Sequence, residues 1–143
     1  MSTIVTRAGK GSPLTHVEVD ANFTNLNNDK AGYVTGQGAV HTQGTSRTTT
    51  VVAAAPKLCG RIDTFSATLA ADTAVSFTFT NAAINANDII VLNQRSGTLG
   101  AYLLNAQPGA GFAVITIRNV TPTAISVAEV VGIGYAIIKA VIA

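Results

Sequence analysis

The sequence predicts an all-β protein with one short helix at its front, and three observations carry that reading. From residue 50 onward apolar residues recur with a period of two, as in VSFTFT, where Val75, Phe77 and Phe79 alternate with Ser and Thr. Turn clusters (NAAINAND, RSGTLG, NAQPGAG and NVTPT) cut this region into short pieces, roughly one every 8–12 residues, the spacing of sandwiches and barrels. Ahead of it, SPLTHVEVDANFTNLN carries a helix start signal and an apolar stripe at helical spacing.

The helix comes first. Thr15 and Glu18 stand at capping-box spacing, with Leu14 at N′ and Val19 at N4, the positions of a hydrophobic staple. Pro13 restrains the chain before the cap, and Glu18 and Asp20 suit the positive end of the helix dipole. Val19, Phe23 and Leu26 follow at i, i+4 and i+7, and the run Asn25, Asn27, Asn28, Asp29 ends the element, giving a helix over about 16–28. A helix of about 12 residues is marginal alone in water, so the stripe calls for a partner. The next stretch, AGYVTGQGAVHTQGTSRTTT, is rich in Gly, Thr and Gln and reads as a linker. The division expected is an anchoring arm with linker over 1–49 and a β domain over 50–143.

Within the β domain, strands are expected near 50–55, 60–69, 75–80, 88–94, 100–106, 111–120, 124–129 and 132–141. GFAVITIRNV sets Phe112, Val114, Thr116 and Arg118 on one face and Ala113, Ile115 and Ile117 on the other. DIIVLNQ is a continuous apolar run, the pattern of a strand covered on both faces. The stretches 82–87 and 95–100 read as loops or short edge pieces. Eight short strands of this kind predict an antiparallel β-sandwich, jelly-roll-like in organisation.

Composition adds an expectation about assembly. Charged residues make up only 11% of the chain, against about 25% in an ordinary soluble domain, so much of the surface is expected to be covered by other copies. The outward strand positions are Thr, Ser, Ala and Asn, which leaves edges without the charges that keep them apart. The nine Lys and Arg are scattered from Arg7 to Lys139 with no basic stripe, which disfavours a nucleic-acid partner. The apolar C-terminal VAEVVGIGYAIIKAVIA is broken by Glu129, Lys139 and glycines, so it reads as a buried strand pair or an interface strand and not as a membrane span. The first apolar pair, Ile4 and Val5, stops at Arg7, so no secretory signal is read and synthesis in the cytoplasm is expected.

Chemistry finds little to build on. Cys59 is the sole cysteine and reads as a small residue in or near a strand. His16 at the helix start and His41 in the linker read as solvated or capping, and Asp63, Asp72 and Asp88 sit at strand ends where carboxylates bond nearby amides. No nucleophile elbow, phosphate-binding Gly loop or His/acid metal cluster is present, so no catalytic residue, metal or cofactor is expected.

The segment TRAGKGSPLT-x-x-EVDANFTNLN, Thr6 to Asn27, resembles the N-terminal segment of many tailed-bacteriophage virion proteins: tail fibres, spikes and other particle appendages. It departs from them at His16, where Trp is frequent. The resemblance implies attachment to the particle through Arg7, Lys10, Gly11, Pro13, Leu14, Glu18, Asp20, Phe23 and Leu26. From Arg61 to Ala143 the chain is similar to a β domain of phage head-fibre, capsid-decoration and fibre-tip proteins, which implies a homotrimeric sandwich on the virion surface. The function implied is a non-enzymatic capsid decoration, cement or head-fibre protein, made in the host bacterial cytoplasm. Its partners would be its own copies and the major capsid protein or a tail or portal-region protein. The alternative is a short tail fibre or tail adaptor whose β head binds host surface glycan.

Overall fold

The computed structural model describes residues 11–24 and 39–140. The chain divides into two compact units, Met1–Gln37 and Gly38–Ala143. In the first, residues 16–24 form helix α1. Its expected continuation to residue 28 lies outside the described residues.

The second unit is all β among the described residues. Its strands are β1 (Val40–Thr42), β2 (Val51–Val52), β3 (Cys59–Asp63), β4 (Ala67–Leu69) and β5 (Ala74–Thr80), then β6 (Ile89–Gln94), β7 (Tyr102–Gly109), β8 (Phe112–Asn119), β9 (Ile125–Glu129) and β10 (Gly132–Ile138). They form two four-stranded sheets, ordered β1-β3-β10-β6 and β2-β5-β8-β7, and a two-stranded ribbon β4-β9. Most pairings are antiparallel, though only β7 and β8 are joined by a tight turn, at Ala110 and Gly111. Both sheets are nonetheless mixed, because β1 runs parallel to β3 and β2 parallel to β5.

The alternation read from the sequence sorts the faces of β5 and β8 as expected. Phe77 and Phe79 point inward beside Ile115 and Ala113, while Ser76 and Thr116 meet across the outer face at 2.8 Å. One hydrophobic cluster draws on both sheets: Ile62, Ile133, Tyr135 and Ile137 from the first, and Val51, Phe77, Phe79, Ala113, Ile115 and Ile117 from the second. The C-terminal apolar stretch is the buried β10, hydrogen-bonded to β3 on one side and β6 on the other. No helix among the described residues is long and apolar enough to cross a membrane.

Five expectations change. Residues 40–49, expected in the linker, belong to the β unit, and Ala39 already accepts a hydrogen bond from the Arg61 amide at 3.3 Å. The expected strand 60–69 is two strands in different sheets. Thr64 turns the chain between them, its amide and hydroxyl both bonded to Val131. The expected turn cluster NAQPGAG is mostly strand: β7 runs through Pro108, and only Ala110 and Gly111 turn, with Gly111 at φ +83°. Proline is admissible there because β7 is a sheet edge and needs no second row of donors. β6 is likewise an edge, with Ile90 and Leu92 on the core but Ile89 and Val91 exposed, so it is not covered on both faces. Finally His41, read as solvated or capping, is 5% exposed inside β1.

Candidate functional site

Helix α1 is built as its cap signal requires. The Thr15 hydroxyl accepts from the Glu18 amide at 3.3 Å, and the Glu18 carboxylate accepts from the Thr15 amide at 2.8 Å and its hydroxyl at 3.0 Å. The first helical hydrogen bond, Val19 amide to Thr15 carbonyl at 3.0 Å, follows directly. Gly11 turns the chain ahead of it at φ +72° with open space where a side chain would stand. Leu14 and Val19 are half-buried, while Pro13, Asp20 and the ring of Phe23 are exposed, Phe23 at 68%. Gly11, Pro13, Leu14, Glu18, Asp20 and Phe23 thus lie along one turn and the helix after it. Arg7, Lys10 and Leu26, the other anchor candidates, lie outside the described residues.

The β unit holds its polar side chains inward, in knots that join distant segments. Gln43 ties its own loop to the segment after β3, donating to the carbonyls of Arg47 and Thr49 at 2.9 and 2.8 Å and accepting from the Phe65 amide at 3.0 Å. Arg47, also buried, donates to the Phe65 and Glu129 carbonyls at 3.3 and 2.7 Å and lies 5.9 Å from the centre of the Tyr102 ring. The Tyr102 hydroxyl donates to Glu129, and burial first, then that carboxylate, pushes the phenol up to about 12. Burial works to raise the Glu129 carboxyl, but donation from Tyr102 and from the Thr98 amide and hydroxyl outweighs it and holds the group below its ordinary value.

His41 makes a second knot. Its Nε2 lies 3.3 Å from the Tyr135 hydroxyl, with the Phe79 ring 5.5 Å away. Burial lowers the imidazole's pKa, and burial, with Cys59 beside it, pushes Tyr135 up to about 12. Gly60 opposite Tyr135 makes room for this ring: a Cβ there would stand 2.8 Å from it and 2.9 Å from the Ala39 carbonyl. In a third knot the buried Asp88 carboxylate accepts from the Asn85 and Ala140 amides at 2.7 and 3.1 Å and from Lys139 at 2.5 Å. Desolvation opposes ionisation of Asp88, but those donors prevail and lower its pKa.

Most of these groups are spent on each other; the exception among the described residues is the buried Nη1 of Arg47, which has no hydrogen-bond partner. Glu129 and Asp88 each face several donors, and among the described residues no cluster of three His, Cys, Asp or Glu could hold a metal ion. The arrangement braces loops. It does so most visibly at 95–101, where Gln94 and Glu129 hold the Ser96 and Thr98 backbone and Leu99 stands out between them. Hydrophobic periodicity does not reveal such residues; the only hint in the sequence is the recurrence of long polar side chains at 41, 43 and 47. No protein family, curated protein or solved structure matches the chain.

Proposed function

We propose that this chain is a structural component of a bacteriophage particle, a capsid decoration, cement or head-fibre protein fixed by its N-terminal arm. The observation that carries the reading is the phage-like segment Thr6 to Asn27, supported by a capping box that closes in full and a helix that leaves Phe23 exposed. In this reading the two four-stranded sheets are the layers of a jelly-roll-like sandwich, and three copies associate on the virion surface, facing the major capsid protein or a protein of the tail or portal region. The molecule performs no catalysis; its carboxylates and His41 serve the internal knots. The alternative, a short tail fibre that stacks host sugars on aromatic rings, is less well supported. Of the chain's three tyrosines, Tyr33 lies outside the described residues, and Tyr102 and Tyr135 are buried, their hydroxyls engaged by Glu129 and His41.

Attachment tests this. Particles lacking the protein are mixed with the purified full-length chain, sedimented, and the bound copies counted. Hundreds per particle are expected. About a dozen would move the protein to the tail, and none would overturn the attachment reading.

A further inference from the structure

We propose that Arg61, Arg95 and Ser96 form a binding site for an oxyanion, a carboxylate or a tetrahedral phosphate or sulfate, on the outer face of the β1-β3-β10-β6 sheet. The site goes beyond the particle reading above and does not depend on it.

Register lays the site out. Arg61 on β3 opposes Gly134 on β10, Asp63 opposes Gly132, and Asn93 of β6 flanks Gly134 from the other side. Ile62 and Ile133, between these positions, turn into the core, so Arg61, Asp63, Gly132 and Gly134 share the outward face. Arg95 and Ser96 follow β6 directly, and both their amides donate to the Gly132 carbonyl, at 2.7 and 3.4 Å. Glycine in a strand interior weakens the strand and marks a place where another group comes close to the backbone. Here those groups are the side chains on either side. A Cβ at Gly134 would stand 3.0 Å from Cδ of Arg95, and one at Gly132 would stand 3.1 Å from Nη2 of Arg61 and closer still to Oγ of Ser96. The two glycines let both arginines lie down across β10, Arg61 from β3 and Arg95 from the end of β6, with the Ser96 hydroxyl beside Arg61.

Charge selects the ligand. Arg61 is paired through Nε with Asp63 at 2.5 Å, whereas the Arg95 side chain has no hydrogen-bond or ionic partner among the described residues. Arg118 and Lys139 each meet a carboxylate, and Arg47 is tied to two carbonyls. Two guanidiniums around one carboxylate leave this face net positive, in a chain with only 11% charged residues. The Ser96 oxygen accepts from the Gly132 amide at 2.8 Å, which leaves its proton to donate. Guanidiniums present parallel N–H donors that match the two oxygens of a carboxylate or phosphate, and the hydroxyl adds a further donor. An anion held there offsets the repulsion between the two cations. A neutral ligand would leave Arg95 uncompensated, and a cationic one would add to the repulsion.

The test is a titration of the full-length protein with sodium sulfate and, separately, sodium acetate, against sodium chloride at matched ionic strength. NMR follows the arginine Nε–H groups and the amides of Ser96, Gly132 and Gly134. Saturable shifts centred on these groups are expected with sulfate or acetate, and only linear drift with chloride. The tighter of the two ions names the source: acetate points to a side-chain carboxylate, sulfate to a phosphate-type group. Arg95→Gln should raise the half-saturating concentration about tenfold, as loss of a charged hydrogen-bond donor does. Gly134→Ala should weaken binding several-fold, because its methyl group lifts the Arg95 stem off the sheet. Lys57→Gln, a change at an exposed cation in the loop before β3, should leave binding unchanged. Arg95 has no partner to lose, so its variant keeps the fold, and an unaltered melting curve checks this. Linear drift alone in the wild type, saturable shifts centred elsewhere, or an Arg95→Gln protein that binds as the wild type does would each overturn the site.

Discussion

His41 is held neutral by its surroundings: the Tyr135 hydroxyl, the Phe79 ring and the core beneath β1. Burial lowers its folded pKa below the ordinary 6.5, so its contribution to stability is whole above pH 6.5 and is lost as the pH falls through the folded value. We expect the melting temperature to begin falling as the pH drops below 6.5, ahead of the carboxylates Asp88 and Glu129, whose lowered pKa values place their loss at more acid pH. His41→Gln, which keeps a donor for Tyr135 but does not titrate, should flatten the first part of that fall. A melting profile measured by circular dichroism that is identical in the two proteins would assign the acid sensitivity elsewhere. None of this was legible in the sequence. A histidine between Val and Thr in a Gly- and Thr-rich stretch has no periodic signal, and its burial is decided by Tyr135, which lies 94 positions away.

At the scale of elements, legibility followed how local each signal is. The capping box of α1 needs only Thr15 and Glu18, and the alternation of β5 and β8 needs only their own residues, so both were readable. Which strand ends a sheet is a property of the whole topology, so from sequence alone β6 reads as doubly covered and the Pro108 end of β7 as turn. β10 was correctly placed as buried strand, and it supports a firm prediction. Ile137 is 1% exposed, and Ile137→Asp should cost about 3 kcal/mol or more in urea unfolding, because a carboxylate replaces core packing and finds no partner. Phe23 on α1 should behave differently. Phe23→Ala should change stability by less than about 0.5 kcal/mol, as for an exposed side chain, yet lower the copies bound per particle. A loss near 3 kcal/mol, the usual cost for a core Phe, would mean that the ring is buried in the working molecule.

For the molecule as a whole, the sequence conveyed a helical front part and a β remainder but misplaced the boundary between them. Low charge and Thr-rich composition made 40–49 look like linker, whereas Gln43 and Arg47 there hold the β unit together from within. The consequence for truncation is specific. Removal of residues 1–37 should leave the melting temperature within about 2 °C of the full-length value and abolish particle binding, since the units are separately compact. Removal through residue 49 should unfold the β unit or lower its melting temperature by 10 °C or more, as loss of about 2 kcal/mol or more does in a domain of this size. Equal stability of the two truncated proteins, measured by calorimetry, would show that β1 and the Gln43 knot contribute nothing.

The parallel pairing of β1 with β3 also sets a direction. Ala39 and the end of β10 lie at the same end of their sheet, while the 95–101 loop and the β9–β10 turn lie at the other. In the anchor reading proposed above, tension from the arm enters the β unit at Ala39, through its first strand. The loop tip carrying Leu99 lies at the opposite end of the sheet from Ala39. In that reading the junction depends on a three-residue strand holding a buried histidine, so acid should loosen the arm's attachment before it melts the sheet.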